Sequence, residues 1–233
     1  DTDSDTDSDT DSDTDTDTGI DTSPNSLTVT CAPTDNILRH LCTVDVDPPQ
    51  AVQVTRERVD GLGRSRTFES LDALASHEIL VYFLNGTTEY NITADATDWM
   101  GFATATTTFT TLVPPAEVDG GLNMTGVSTM GLIGGETPCD GGAFAVIYDT
   151  DVGELAWYQD LDPGGTLGVL DMVRFTDEFT IIGETGGRIA EATVKGEMVN
   201  SFPVSYPGCC SLNHDVNKFG DNYYSQYQDT RGG

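Results

Sequence analysis

Basic residues are scarce in this chain. Its 233 residues include 10 Lys and Arg against 39 Asp and Glu, a formal net charge of −29. Nine of those acids are the aspartates at odd positions 1 to 17, and the remainder without them is still −20. A chain of this sign repels nucleic acid and anionic lipid at long range, which excludes nucleic-acid binding as a function class. No apolar run reaches the roughly 18 residues that a membrane-spanning helix needs, so no transmembrane segment is expected. Histidine is rare too, with three copies. The Gly-Gly pairs after residue 120 lack a following helix and the Lys-Ser/Thr of a phosphate loop, so they read as turns. An initiator Met and a signal peptide are also missing. The chain opens inside a repeat and stops at Arg231-Gly-Gly, which reads as a piece of a longer protein, with lipid or surface anchoring upstream of residue 1 as one possibility.

Five cysteines occur, Cys31, Cys42, Cys139, Cys209 and Cys210. None forms a Cys-x-x-Cys pair and no histidine stands at zinc-ligand spacing, so a structural zinc site is not expected. The pattern predicts disulfides, Cys31–Cys42 and Cys139 to Cys209 or Cys210, with one thiol left over. The alternative is a cytosolic protein with reduced, buried cysteines.

Residues 1–19 form an Asp/Thr/Ser spacer. Like charges on every second residue keep it extended, and it has nothing apolar to bury against chain entropy. Such a tail suits a domain held away from a cell surface. The alternating acids also suit weak calcium binding, and the regularly spaced hydroxyls suit glycans.

Residues 20–113 alternate in short β-patterns. Leu27–Cys31, Leu41–Val46 (ending at Pro48-Pro49), Ala51–Glu57, Glu78–Phe83, Thr88–Ala94 and Phe102–Thr110 read as strands, with Gly61-Leu-Gly63 as a turn. Leu71–Ala75 is too short for a helix. The stretch Leu84-Asn-Gly-Thr-Thr-Glu-Tyr90-Asn-Ile92 has the form of a tyrosine corner, in which a Tyr hydroxyl ties back to the preceding turn. The block resembles a fibronectin type III-like β-sandwich. His40 is expected in a loop and His77 before a strand, both solvated or locally satisfied. Residues 114–119, around Pro114-Pro115, read as a stiff linker.

Residues 120–233 carry an internal repeat. Leu170–Phe179 aligns with His214–Tyr223, Asp171 matching Asp215 at a spacing of 44. Ile147–Trp157 aligns with Ile189–Val199 at 42 to 43, pairing Asp149 with Glu191. A strand-only repeat of this period implies propeller blades of four strands. Four to eight such blades need about 170 to 340 residues. The segment therefore reads as a truncated, incomplete β-propeller of about two blades that continues past Gly233. Asp149-Thr-Asp151-Val-Gly153-Glu154 looks like part of a calcium loop but lacks its distal ligands, so a hairpin with Gly153 at positive φ is the expectation. The fold class is thus all-β, a sandwich followed by part of a propeller.

The two hairpins, Asp149–Trp157 and Glu191–Val199, and the motif Asn213-His214-Asp215-Val216 resemble bacterial arylsulfate sulfotransferases over residues 20 to 229. The resemblance implies an exported enzyme, in the periplasm or at the bacterial cell surface, with a lipoprotein among the forms expected. It would move a sulfuryl group from an aryl sulfate ester to a phenol through a histidine, with no nucleotide or other cofactor. The family's motif is His-His-Asp, so Asn213 departs from it while His214 and Asp215 match. His214 is then expected to bind the sulfuryl group or orient substrate, and Asp215 to orient His214. The nucleophile belongs to a later blade, so the segment alone is expected to be inactive. The bland alternative makes His214 a blade-loop residue and Asp215 a strand-end cap, as Asp171 suggests. Arg174 and Lys218, at equivalent repeat positions, line an anion path or bridge strands. Trp157, Tyr223, Tyr224 and Tyr227 stack an aryl group or pack the core. The competing function is a non-catalytic surface protein for adhesion or carbohydrate binding. A hydrolase or quinone-dependent dehydrogenase has no supporting motif.

Overall fold

A computed structural model describes residues 26–96, 103–118, 131–136, 143–162, 170, 172–176, 180–185, 187–204 and 212–227. Among them every regular element is a strand and none is a helix, so the chain is all-β. The spacer and Cys139, Cys209 and Cys210 lie outside the described residues.

The first sheet is built from β1 (Ser26–Pro33), β2 (His40–Arg58), β3 (Arg66–Val81), β4 (Glu89–Ala96) and β5 (Thr104–Thr110). The strand expected to end at Pro48-Pro49 does not end there. It runs on through Ala51–Glu57 as one strand of 19 residues. The reason lies in the ladder. Pairing between β2 and β3 slips between Asp45 and Gln50, so no ladder bond is asked of the two prolines, which lack N–H groups. Likewise β3 begins at Arg66 and absorbs Leu71–Ala75 as exposed strand.

Either side of this slip β2 has different neighbours. Its first half pairs with β1 and the end of β3, and its second half with the start of β3 and with β4, which pairs β5. The sheet therefore curls until β1 and β5 touch. The strict alternation of β2 and β4 sends Val44, Val54, Tyr90 and Ile92 into one core.

Cys31 and Cys42 face each other across β1 and β2 and form the expected disulfide, with 4.0 Å between their Cα atoms. The Tyr90 hydroxyl accepts the Asn85 backbone N–H at 2.8 Å and donates to Asn85 Oδ1 at 3.0 Å, the tie-back its sequence context predicts. His40 departs from expectation, and His77 departs in place alone, since it lies within β3 rather than before a strand while its ring is locally satisfied as expected. His40 opens β2 and is buried, stacked on Phe109 at 3.9 Å because an alternating strand sends it to the core side. His77 is buried within β3, and its ring nitrogens meet Ser70 Oγ at 2.9 Å and the Gln50 carbonyl at 2.8 Å.

Three antiparallel sheets follow. The first holds β6 (Leu132–Glu136), β7 (Phe144–Asp149) and β8 (Glu154–Asp160). The next is a four-stranded meander of β9 (Met172–Phe175), β10 (Thr180–Thr185), β11 (Arg188–Thr193) and β12 (Met198–Pro203). The last is the hairpin of β13 (Leu212–Phe219) and β14 (Asn222–Tyr227). Successive sheets stack and share cores. Val146, Tyr148 and Leu155 belong to the core of the first sheet, while Ala145, Ile147 and Trp157, on the opposite face, pack with Ile181 and Ala190. Beyond β9–β12, Ile182 and Ile189 meet Val216. Gly183 lets two of these layers close, since a Cβ there would stand 2.4 Å from Leu161 Cδ1.

The hairpins β7–β8 and β11–β12 repeat one another in detail. Ladder pairs run Tyr148↔Leu155 then Ile147↔Trp157 in the first, and Ala192↔Met198 then Glu191↔Asn200 in the second. Both ladders carry a bulge at that step. Glu191 therefore corresponds to Ile147 rather than to Asp149, a correction of two residues. Alternation has period two, so this slip preserves the inward–outward pattern and is invisible to pattern matching. Gly153 turns the first hairpin at φ 75° and Gly196 the second at φ 93°, as expected of hairpin glycines.

Candidate functional site

Asn213, His214 and Asp215 lie on β13, and the ladder there is irregular. Pairing jumps from Leu212↔Tyr227 to Val216↔Ser225, so the three motif residues oppose Gln226 alone. In the equivalent pair β9–β10 the ladder steps evenly from Met172↔Glu184 to Phe175↔Ile181. Extra residues on one strand bend it and re-aim its side chains, which is why such irregularities gather at sites. The side chains of His214 and Asp215, and the whole of Asp171, lie outside the described residues. The register also moves one equivalence. Tyr223 pairs Lys218 while Ile182 pairs Arg174, so Tyr223 corresponds to Ile182 and not to Phe179.

Beside the motif strand the fold gathers a polar cluster that sequence reasoning missed. Glu191 is fully buried. Its carboxylate accepts hydrogen bonds from the Thr180 and Tyr223 hydroxyls and, at 3.0 Å, from Lys218 Nζ. Asn200 Nδ2 donates to the Tyr223 hydroxyl at 2.6 Å. Burial pushes the Glu191 carboxyl upward, but the bonds from Thr180, Tyr223 and Lys218 outweigh it and hold it below the usual glutamate range. Burial, with the bond to Glu191, raises the Tyr223 phenol. The available signal was a lone Glu inside Ile189-Ala-Glu191-Ala, at the place where the earlier copy has Ile147.

Lys218 and Arg174 sit at equivalent positions and both bridge, Lys218 to Glu191 and Arg174 Nη1 to Asn217 Oδ1 at 2.9 Å. They also line a cavity of about 210 Å³ with Thr176, Asn217 and Phe219. Trp157 is fully buried and donates Nε1–H to the Val194 carbonyl at 2.7 Å, so it packs the core. Tyr223 packs edge-on against Phe202, and Tyr224 is exposed beside Phe219.

Three arginines fasten the first sheet and its β2–β3 loop to the later ones, and Arg64 does so through Asp151 at 2.7 Å. Arg58 reaches Asp60, Asn85 and Glu154 at 2.7, 3.1 and 2.8 Å, at the base of a cleft of about 630 Å³ that Thr87, Thr88 and Glu89 help to line. Arg39 lies over the Trp157 ring at 5.2 Å and donates to the Tyr158 carbonyl at 3.0 Å; burial lowers its guanidinium to about 10. Among the described residues no group of three or more His, Cys, Asp or Glu is arranged to hold a metal ion. No helix of the described residues is long and apolar enough to cross a membrane.

No protein family model matches the chain, and no curated protein sequence matches it either.

Proposed function

We propose that the chain belongs to an exported, arylsulfotransferase-like protein in which a fibronectin type III-like sandwich precedes propeller blades. The observation that carries this reading is the irregular stretch of β13. It sets His214 and Asp215 apart from the regular repeat, on the first strand of a sheet stacked upon a like sheet. The matching bulges of β7–β8 and β11–β12 support the blade reading. The tie-back of Tyr90 supports the sandwich. The Cys31–Cys42 disulfide fits an oxidising compartment.

In this reading an imidazole nitrogen supplied by a further blade attacks the ester sulfur. The sulfur–oxygen bond to the leaving phenolate breaks, and the phenolate takes the electron pair. The oxygen of a second phenol then attacks that sulfur, the sulfur–nitrogen bond breaks with its electron pair returning to the imidazole, and the phenol's proton passes to the phenolate released in the first step. His214 contributes by holding the sulfuryl oxygens, and Asp215 orients it. The test is release of p-nitrophenol from p-nitrophenyl sulfate by the full-length protein, with and without a phenol acceptor. Phenol-dependent release that falls by about 100-fold or more in His214→Ala is expected. Unchanged turnover in that variant overturns the role of His214.

A second reading, a non-catalytic surface protein for adhesion or carbohydrate binding, is favoured by Asn213, which replaces the first histidine of the family motif. Absence of any phenol-dependent release selects it.

A further inference from the structure

Three stretches of the chain have the form Asn-x-Thr, the acceptor pattern for N-linked glycans: Asn85-Gly-Thr87, Asn91-Ile-Thr93 and Asn123-Met-Thr125. Asn123 lies outside the described residues. The other two have opposite environments.

Asn85 is fully buried and its amide is committed on both sides. Its Nδ2 donates to the Leu155 carbonyl at 3.2 Å, while its Oδ1 accepts from Tyr90 at 3.0 Å and Arg58 at 3.1 Å. A sugar on that nitrogen would break the tie between the first sheet and β8.

Asn91 is exposed on β4, and its side chain makes no hydrogen bond to another described residue. The strand's alternation sets Glu89, Asn91 and Thr93 in a line on the outward face, while Tyr90 and Ile92 point into the core. Across the ladder Asn91 faces Glu57 and Thr108, both exposed, so the surface around it is open and polar. Glu89 also supplies the acidic residue two positions before the asparagine that bacterial forms of the acceptor pattern add; Phe83 holds that place before Asn85.

We propose that Asn91 is an N-glycosylation site and that Asn85 is not. The donor is a lipid-pyrophosphate-linked oligosaccharide met during export. The Asn91 amide nitrogen bonds to C1 of the first sugar, the bond from C1 to the pyrophosphate oxygen breaks, its electron pair leaves with the pyrophosphate, and the amide gives up one proton. Nothing is oxidised or reduced. Transfer takes place on the chain before β4 pairs, and there the residue two positions before the amide separates the two acceptors, Glu89 before Asn91 and Phe83 before Asn85. The finished sheet then accommodates the product, because only the solvent-facing side of β4 has grown. The glycan would cover the outer face of the first sheet.

The test is glycopeptide mass spectrometry on the protein isolated from its own cells, with the peptides carrying Asn85 and Asn91 read separately. Co-expression with an oligosaccharyltransferase and its lipid-linked glycan, in an exporting host that modifies a reference acceptor, provides the variant arm. The expected result is sugar on Asn91 and none on Asn85. It is abolished by Asn91→Gln and by Thr93→Ala, and unchanged by Thr87→Ala, which removes the pattern at Asn85 from an exposed position without touching Asn85 itself. Bare Asn91 in protein from its own cells overturns the proposal. So does a glycan on Asn85, or persistence of the Asn91 glycan in Thr93→Ala.

Discussion

Glu191 holds in β11 the ladder position that Ile147 holds in β7, one pair beyond the same bulge, and the exchange of an apolar side chain for a carboxylate creates a 3.0 Å ion pair with Lys218 of the next hairpin. Both partners are withdrawn from water, with Glu191 at 0% and Lys218 at 9% side-chain exposure. The pair thus fixes how β13, the strand of His214, seats against the sheet before it.

Removing only the cation leaves a buried carboxylate with hydroxyl donors alone. Lys218→Met is expected to lower unfolding stability at neutral pH by about 3 kcal/mol. The double variant Glu191→Ile/Lys218→Met, which restores the apolar residue of the earlier copy, should return to within about 1.5 kcal/mol of the parent. Urea titrations of the parent and both variants check this. Glu191 titrates below the usual range, so its contribution is full at neutral pH and is lost as acid protonates it. Parent and Lys218→Met should therefore converge in strong acid.

His40 gives a second acid response, at higher pH. Burial against Phe109 lowers its imidazole to about 4. The unfolded chain takes up a proton as pH falls through the ordinary value near 6.5, while the fold refuses it until about 4. Stability is therefore full above the upper value and declines between the two. A loss of about 2–3 kcal/mol across that window is expected. The loss should be absent in His40→Gln, measured as unfolding free energy against pH.

Much of this fold could be read from alternation alone. The core faces of β2 and β4, the Cys31–Cys42 bridge, the tie-back of Tyr90 and the hairpin turn at Gly153 all follow from local patterns. What could not be read was long-range or degenerate. Proline ended a strand by rule at Pro48-Pro49, and only the slipped ladder opposite shows why the strand survives. The repeat was visible, but a shift of two residues leaves alternation intact, so Glu191 was matched with Asp149 and its burial stayed hidden. Of the site, the place of His214 in the repeat was legible, but not that it stands within a strand. Its irregular pairing depends on Tyr227 and Ser225 across the ladder, which no reading of Asn213-His214-Asp215 alone could supply.

The disulfide closes a short loop, with a sequence separation of 11. Cross-linking so few residues restricts the unfolded chain modestly, and Cys31→Ser/Cys42→Ser is expected to cost about 2–3 kcal/mol. Denaturation midpoints of the parent under oxidising conditions and of the variant measure it. Thiol titration of the oxidised parent should find neither cysteine reactive.

Tyr90→Phe leaves the buried Asn85 N–H without its acceptor and Asn85 Oδ1 without one donor. The expected cost is about 2 kcal/mol. Because Asn85 also bonds the Leu155 carbonyl, the effect should reach β8, read as faster amide exchange in Leu155–Tyr158.

The shared cores of the stacked sheets give the chain a direction. The sheet β6–β8 finishes the core begun by β1–β5 and starts the next one, and β9–β12 does the same for β13–β14. Each layer packs on an apolar surface supplied by the one before it, much as masonry courses rise on a footing. The curled first sheet, stapled by Cys31–Cys42, is that footing. An error in its curl would be inherited by every later course, up to the strand that holds His214.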